Sequence, residues 1–494
     1  MDKTLRKEYF DKAFKLHSAG KIVEAQNFYK KILTENPDDC EVLNLVGMSE
    51  LQTQNYERAE EFVKKAISVK KVRYFYETLA GVYFKQKKYQ RELETRLEEE
   101  KIFGLNYDLA FLIGLAYRNL LDFENSEKYY LKALEYNGKS RDLYFNLANL
   151  YTVFHYFEKA KDCYLKCISI NSNDRESKYF LGLCYLRLKD YKKGLVYFEN
   201  RLCRETAINT SAVTYPDLIP KRKIWQGEDI SDKVLYTYYE AGFGDMIMFA
   251  RYIPLLEKRC KKLIIKPQVE LSELFRENFP EVDVMKYFYD KRDWDFDVHL
   301  PFLSVPYVLG LNTDEMFISR NGYLKANKEN ADFYKREFFN NDKLKIGIKW
   351  RGNTYYETDR VINIEAFEGL FGLDNVKVYS AQTFEGSEEF DKLAHKYDIT
   401  DLSKSFKDFS YTAAAVENLD LVVCNDTSLA HLAGAMGKPC AVLLPYNYNW
   451  RWHTDLTRCD WYESVKLYRA EKDESWNSVM ERVIADINTW GYTL

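Results

Sequence analysis

The stretch 419–445 carries the pattern of residues best suited to hold a phosphate group. It reads LDLVVCNDTSLAHLAGAMGKPCAVLLP: an apolar β-rich run, a polar segment at 425–427, and then small and apolar residues at helical spacing that end at Gly437. Free backbone N–H groups at a helix start, beside hydroxyls at Thr427 and Ser428, attract a phosphate or a diphosphate. The alternative is an ordinary capped helix next to a parallel sheet.

Two residues are of types that can act beside a bound phosphate. Asp245 follows Gly242 and Gly244 in the segment EAGFGD. The glycines allow a ligand to approach the backbone, and a carboxylate that faces a cleft can act as general base for an acceptor hydroxyl. The alternative is an Asp that only caps its helix. His431 lies one turn into the predicted phosphate-binding helix, where a histidine is often a buried structural residue.

Basic and amide side chains cluster after a predicted strand at 345–350. The cluster comprises Lys349, Arg351, Asn353 and Arg360. Arg binds phosphate oxygens through a bidentate fork and Lys supplies a point charge, so the cluster suits a diphosphate. Gln382 ends the next predicted strand, 377–382, and is assigned to the same binding site. Solvated surface charge is the alternative.

An aromatic and basic segment follows the last strand of the opening stretch. It contains Tyr446, Trp450, Arg451, Trp452 and His453. Such residues ordinarily pack in a core. At the mouth of a cleft they can also stack on a base or a sugar.

Strands and helices alternate after residue 230, which predicts parallel sheets with crossover helices. A β-rich run at 234–239 precedes a predicted helix at 245–258, and a strand is predicted at 294–299. We expect two Rossmann-like halves at 232–340 and 341–494, the second ending in a C-terminal helix. Ligands of such sheets bind beyond the carboxyl ends of the strands. The corresponding loops are 240–246, 349–360, 381–386, 425–431 and 446–453.

The first two hundred residues repeat with a period of 34. One small-residue position recurs at Ala13, Gly47, Gly81, Gly114, Ala148 and Gly182, and a second at Ala25, Ala59, Leu93, Ser126, Ala160 and Gly194. A 34-residue unit with a small residue in each of two helices resembles the tetratricopeptide repeat (TPR). About six repeats are predicted over 1–205, with a degenerate third repeat and a linker at 206–231. Such arrays recognise protein partners, or serve as spacers or dimerisation modules.

Composition excludes several classes of function. The chain has 494 residues and a net charge of −4, which gives no reason to expect nucleic acid binding. No apolar run is long enough to span a membrane, and the start MDKTLRKEYFDKAF lacks a signal-peptide core, so we expect a cytoplasmic protein. The nine Cys show no metal-ligand spacing.

Several motifs together resemble one known class of protein. GFGDMIMFARYIPLL, KWRGN followed by DR, the 420–445 stretch and NWRWHTD look like bacterial proteins that fuse TPRs to a glycosyltransferase of the GT-B fold. That domain is similar to lipopolysaccharide heptosyltransferases and, more distantly, to O-GlcNAc transferases. Asp245 matches the catalytic base of the heptosyltransferases, and the segment Asp426-Thr427-Ser428-Leu429-Ala430-His431 matches their D-T-G-L-S-H diphosphate cradle, with Ser428 in place of Gly.

The resemblance implies an inverting, metal-independent transfer of a sugar from a nucleotide donor to a hydroxyl. Its nucleotide sugar is a co-substrate, and no metal or other cofactor is expected. The preferred acceptor is a Ser or Thr of a protein held by the repeats, of the flagellin or surface-adhesin type. One alternative is a lipopolysaccharide or another glycolipid acceptor, and the other is a non-catalytic scaffold. Repeat arrays often dimerise, so the sequence is also compatible with a homo-oligomer.

Overall fold

The chain folds into two compact units, Met1–Asn173 and Asp174–Leu494. The computed structural model describes residues 2–203, 223–285, 296–311, 313–352, 360–383, 386–454 and 457–487. In these residues the first unit is built of helices, and the second combines one further pair of repeat helices with two sheets and the helices that connect their strands.

Helices of the first unit pack as consecutive antiparallel pairs. They are α1 (Lys3–Ser18), α2 (Ile22–Glu35), α3 (Cys40–Gln52), α4 (Tyr56–Val69), α5 (Arg73–Lys85), α6 (Tyr89–Phe103), α7 (Tyr107–Asn119), α8 (Phe123–Tyr136), α9 (Arg141–Val153) and α10 (Phe157–Ile170). The side chains of Asp39, Asn106 and Ser140 accept a backbone N–H at the start of α3, α7 and α9. These caps satisfy donors that a helix start leaves free.

The recurring small residues lie where the two helices of a pair cross. A Cβ on Gly47 would lie 2.3 Å from Val63 Cγ2, and one on Gly114 would lie 2.6 Å from Tyr130 Cδ1. Gly81 in the third pair has no such neighbour, since its nearest atom would be 4.0 Å away. The close approach that the spacing predicts is therefore present in the second and fourth pairs and relaxed in the degenerate third.

The third pair buries charged residues inside the array. Glu92, Arg96 and Glu99 on α6 are nearly inaccessible to solvent. Arg96 donates to Glu92 at 2.9 Å, and Arg73 donates to Glu99 at 3.5 Å. Burial, assisted by the nearby Glu77 carboxylate, raises the pKa of Glu99 to about 7.

Replacing Glu99 by Gln is expected to stabilise the first unit above about pH 7. A carboxyl whose pKa is raised on folding destabilises the fold as pH rises from its unfolded value toward its folded value, so the cost is absent in acid and complete above about pH 7. The gain at about pH 8 should be on the order of 2–3 kcal/mol, and near zero at about pH 4. Thermal unfolding of Glu99→Gln and of the exposed control Glu94→Gln at both pH values tests this; equal gains at both would contradict it.

The second unit begins with the sixth helix pair. Its helices are α11 (Arg175–Arg187), α12 (Tyr191–Phe198), α13 (Phe243–Phe249), α14 (Ile253–Glu257), α15 (Ser272–Asn278), α16 (Val305–Val308), α17 (Thr313–Met316), α18 (Lys328–Phe338), α19 (Glu368–Phe371), α20 (Ser387–Ala394), α21 (Phe409–Glu417), α22 (Ser428–Ala435) and α23 (Trp476–Ile487).

Two parallel sheets form the rest of the second unit. Their strands are β1 (Lys223–Ile224), β2 (Ile230–Tyr238), β3 (Cys260–Lys266), β4 (Asp283–Val284), β5 (Val298–Pro301), β6 (Leu344–Lys349), β7 (Val376–Ser380), β8 (Ile399–Asp401), β9 (Leu421–Asn425), β10 (Cys440–Leu444) and β11 (Val465–Arg469). The predicted architecture of helical repeats followed by parallel sheets is confirmed. One hydrophobic core, which includes Leu235, Leu429 and Trp461, runs through both sheet regions.

Each sheet reverses its strand order at one point. The first has the order β1-β5-β2-β3-β4, so the chain leaves β2 toward β3 on one side while β5 lies on the other. The second has the order β11-β10-β9-β6-β7-β8, so β6 and β9 flank the reversal. Loops diverge at such points and leave a crevice beyond the carboxyl ends of the strands.

The segment predicted as one helix over 245–258 is broken into three. Helix α13 ends at Phe249, a 3₁₀ turn covers Ala250–Tyr252, and α14 follows. Pro254 explains the break, because it has no N–H to donate to a preceding carbonyl and its ring crowds the turn before it.

Two other predicted segments differ from the structure. Strand β1 lies inside the stretch expected as a linker, where it pairs with β5 in parallel. The strand expected at 294–299 starts at Val298, and Trp294 is outside the described residues.

Candidate active site

The starts of two helices from different sheets meet in the second unit. Helix α13 follows β2, and α22 follows β9. The two helices pack together, and a Cβ on Gly244 would lie 2.6 Å from Cδ2 of His431. Tertiary packing therefore brings the loops 240–246 and 425–431, both singled out in the sequence, to one place.

Asp245 lies at this junction with its carboxylate partly exposed. One oxygen accepts the Gly242 N–H at 3.1 Å, which caps α13. The other forms an ion pair with Arg451, whose guanidinium also donates to Asn449 at 2.8 Å. The side chain of Asp245 is 16% exposed, so a small group can still reach it.

His431 is a buried residue that packs against the loop carrying Asp245. Its Nδ1 lies 3.0 Å from the Tyr462 hydroxyl, and its ring stacks on Trp452 with 5.0 Å between centroids. Burial, and then the positive charge of Arg451, lowers its pKa to about 3. With this pKa the imidazole is uncharged near neutral pH, and it packs against the loop of Asp245 as a neutral ring.

The contact between Gly244 and His431 makes a testable packing prediction. Gly244→Ala should force the two helices apart and destabilise the protein by about 1–3 kcal/mol. Gly372→Ala is the matched control, because a Cβ there meets nothing within 4 Å. Chemical denaturation measures both variants. Equal stabilities of the two would show that the junction adapts freely.

Lys349 ends β6 at the reversal point of the second sheet. It is only 9% exposed, and its ammonium donates to Thr383 Oγ1 at 3.3 Å. Burial lowers its pKa from 10.5 to about 8. Among the described residues, no carboxylate lies within ion-pair distance of it. A buried cation placed this way favours the binding of an anion.

Arg360 and Asn425 hold the start of α22 in place. Arg360 donates to the carbonyl of Asp426 at 3.1 Å and forms an ion pair with its carboxylate at 3.3 Å. The Asn425 amide donates to the carbonyls of Trp350 and Arg360, at 3.1 and 2.8 Å. The loops after β6 and β9 are thus joined by polar side chains.

Other predicted binding residues are engaged within the protein. Arg351 forms an ion pair with Glu389, and Gln382 accepts the backbone N–H groups of residues 350 and 351 at 3.2 and 2.9 Å. Asn353 lies outside the described residues. Arg351 and Gln382 therefore fix the shape of the loop after β6.

Residues 427–429 occupy distinct environments at the start of α22. The Thr427 hydroxyl donates to the carbonyl of Asn425 at 3.3 Å, and Ser428 is half-buried as the first helical residue. Leu429 points into the core. Of the three, Ser428 is the one whose side chain is nearest to solvent.

The aromatic segment is mainly part of the core, which is the first of the two alternatives that the sequence left open. Trp450, Trp452 and His453 are buried. Trp450 packs against Phe198, with ring centroids 6.1 Å apart. The member that contacts Asp245 is Arg451, and this pairing could not be identified from local sequence, because 206 positions separate the two residues.

Comparison with known proteins supports the repeats. Residues 41–72, 107–140 and 142–174 match the model of the tetratricopeptide repeat, which confirms the predicted repeats. Arrays of this kind typically bind protein partners. In the described part of the chain, no helix has the length and apolar character needed to cross a bilayer, and no group of three or more His, Cys, Asp or Glu could hold a metal ion.

One curated relative and several solved structures resemble this chain. Protein FlbA of Caulobacter vibrioides is 26% identical over 295 residues, which cover 52% of this chain and 47% of FlbA. This chain thus spans about half the length of that relative. PilF of Pseudomonas aeruginosa matches 40% of this chain and 91% of its own, with 16% identity and a TM-score of 0.35. YrrB, a TPR protein with an unusual peptide-binding site, matches 35% and 91%, with 17% identity and a TM-score of 0.31.

Proposed function

We propose that the second unit is a glycosyltransferase of the GT-B type, which moves a sugar from a nucleotide donor to a Ser or Thr hydroxyl of a protein held by the repeats. The observation that carries the proposal is the contact between the loop of Asp245 and helix α22, which follows β9, the strand that pairs with β6 and its buried cation Lys349. A carboxylate and an anion-binding helix start at one crevice are the two parts that such a transfer requires.

Each part has a defined task in this proposal. The acceptor oxygen attacks the anomeric carbon of the donor sugar while Asp245 takes the proton of the hydroxyl. The bond between that carbon and the phosphate oxygen breaks, and the nucleoside diphosphate leaves with the electron pair. A single displacement inverts the anomeric centre. Lys349 and the N–H groups of α22 offset the charge on the leaving group, so the step needs no metal.

A panel of nucleotide sugars, read by thermal shift and by release of the nucleotide, tests the reaction class. One donor should stabilise the wild-type protein and be consumed. Ser428→Trp should lose both effects, because the indole fills the space in front of α22. Ser231→Trp is the control, since Ser231 is an exposed residue of the first sheet. If no donor binds or is consumed, the chain acts instead as a protein-binding scaffold.

The choice of a protein acceptor rests on the repeats. Two pairs of neighbouring first helices contact each other, α3 with α5 and α7 with α9, and Arg118 on α7 donates to Asn146 on α9 at 3.1 Å. The first helices α7 and α9 therefore present adjoining polar side chains against which a peptide can lie. Asn146→Ala should reduce transfer to a protein acceptor and leave hydrolysis of the donor by water unchanged. Transfer to a glycolipid that is insensitive to this change would overturn the protein-acceptor assignment.

A further inference from the structure

The sixth helix pair is joined to both sides of the Asp245–Arg451 contact. It packs with the two sheets as part of the second unit. Its polar contacts are concentrated on the loop that carries Asp245 and on the turn that carries Arg451. These contacts indicate that the sixth helix pair has a role in the candidate site, which the repeat pattern alone does not predict.

Arg201 makes the first connection, from the 3₁₀ turn that ends the pair. Its guanidinium donates to both carboxylate oxygens of Glu240, at 3.1 and 2.7 Å. It also donates to Glu199 at 2.6 Å and to the Ser304 hydroxyl at 2.7 Å. Arg201 is only 6% exposed, so its planar guanidinium makes these hydrogen bonds inside the protein. A lysine cannot reproduce that geometry.

Glu240 links Arg201 to the loop that carries Asp245. It is the second residue after β2 and lies five positions before Asp245. Its carboxylate also accepts the Leu303 N–H at 2.9 Å. Arg201 thus holds, directly or through Glu240, the loops that follow β2 and β5 at the reversal point of the first sheet. Buried ion pairs of this kind add little net stability and often serve to select one geometry.

Tyr191 makes the second connection, from the start of α12. Its hydroxyl lies 2.8 Å from His453 Nε2. His453 Nδ1 lies 3.2 Å from Asp460, which also binds Lys189 at 2.6 Å. Because Nδ1 faces a carboxylate, it carries the proton, and Nε2 accepts from Tyr191. His453 is two residues from Arg451 and directly follows the same 3₁₀ turn.

We propose that the sixth helix pair sets the contact between Asp245 and Arg451, with Arg201 as a positioning residue for the 240–245 loop and Tyr191 as a positioning residue for the 449–453 turn. This role deepens the proposed function and rests on it for its catalytic meaning.

Hydrogen exchange on the full-length chain tests the positioning directly. In Arg201→Met and Arg201→Lys, the amides of 241–245 should exchange on the order of tenfold faster, while those of α22 keep their wild-type rates. Tyr191→Phe keeps the ring, removes one hydroxyl, and should accelerate exchange in 449–453. Lys193→Met is the control, because Lys193 is an exposed residue of α12 that pairs with Asp190, the residue that caps the start of the same helix.

Kinetics then separate positioning from simple support of the fold. With the donor found in the panel, Arg201→Lys should lower kcat on the order of tenfold or more, with KM for the donor within about twofold. Unchanged exchange in 241–245, or equal acceleration throughout the second unit, would overturn the role of Arg201. If no nucleotide sugar binds the wild type, the glycosyltransferase proposal fails, while the exchange rates still decide whether the sixth pair positions the two loops.

Discussion

Replacing Asp245 by Asn should lower kcat for sugar transfer by about 10²–10⁴-fold, the usual contribution of a general base. The amide keeps the size of the side chain, and its oxygen can still accept the Gly242 N–H that caps α13. It cannot take the proton of an acceptor hydroxyl. Binding of the nucleotide sugar should stay within about twofold of wild type, because the proposed donor contacts lie on α22 and β6.

Steady-state kinetics and a donor titration measure the two effects of Asp245→Asn separately. Asp283→Asn is a suitable control, because Asp283 is a half-exposed carboxylate on β4 of the first sheet, paired with Lys262 at 3.0 Å. Transfer at the wild-type rate by Asp245→Asn would assign the base to another residue. A loss of donor affinity with unchanged kcat would place Asp245 in binding instead.

Replacing Lys349 by Met should weaken donor binding and at the same time stabilise the free protein. A charged hydrogen bond to a phosphate contributes about 1.5–3 kcal/mol, so affinity should fall about 10- to 100-fold. The wild-type affinity should itself decrease as pH rises above about 8, where Lys349 loses its proton. Isothermal titration of the donor at several pH values measures both changes.

Lys349→Met should weaken donor binding but raise the stability of the free protein. The pKa of Lys349 is lowered on folding, so its burial destabilises the protein below about pH 8, and this cost disappears as pH rises toward about 10.5. Lys349→Met should therefore gain on the order of 2–3 kcal/mol at about pH 7 and little at about pH 10. Lys345→Met, at the other end of β6, should change neither property. A destabilised Lys349→Met protein would show that the ammonium supports the fold.

The repeats and the sheets were predictable because their signals are local. A small residue every 34 positions predicts a close helix crossing, and the helices do cross closely at Gly47 and Gly114. Apolar β-rich runs alternating with helices report a parallel sheet. Breaks within an element are harder to anticipate: Pro254 interrupts the helix expected at 245–258, although its position was visible in the chain.

The types of residue in the candidate site were also visible in the sequence, but their uses were not. Arg351 was indistinguishable from Lys349 as a candidate for binding a diphosphate. Packing gives Arg351 an acidic partner, Glu389, and leaves Lys349 with a hydroxyl. The partner of a charged side chain depends on which elements fold beside it, and a linear pattern does not contain that information.

The sequence by itself determined that this protein joins a helical repeat array to parallel sheets, and that Asp245 and the 425–428 segment lie at strand ends. Periodicity and alternation suffice for this, since they act over one or two elements. Only the tertiary structure decided that Asp245 meets Arg451 and that Arg201 holds Glu240. These contacts join residues 206 and 39 positions apart, and they follow from how whole layers pack into one core.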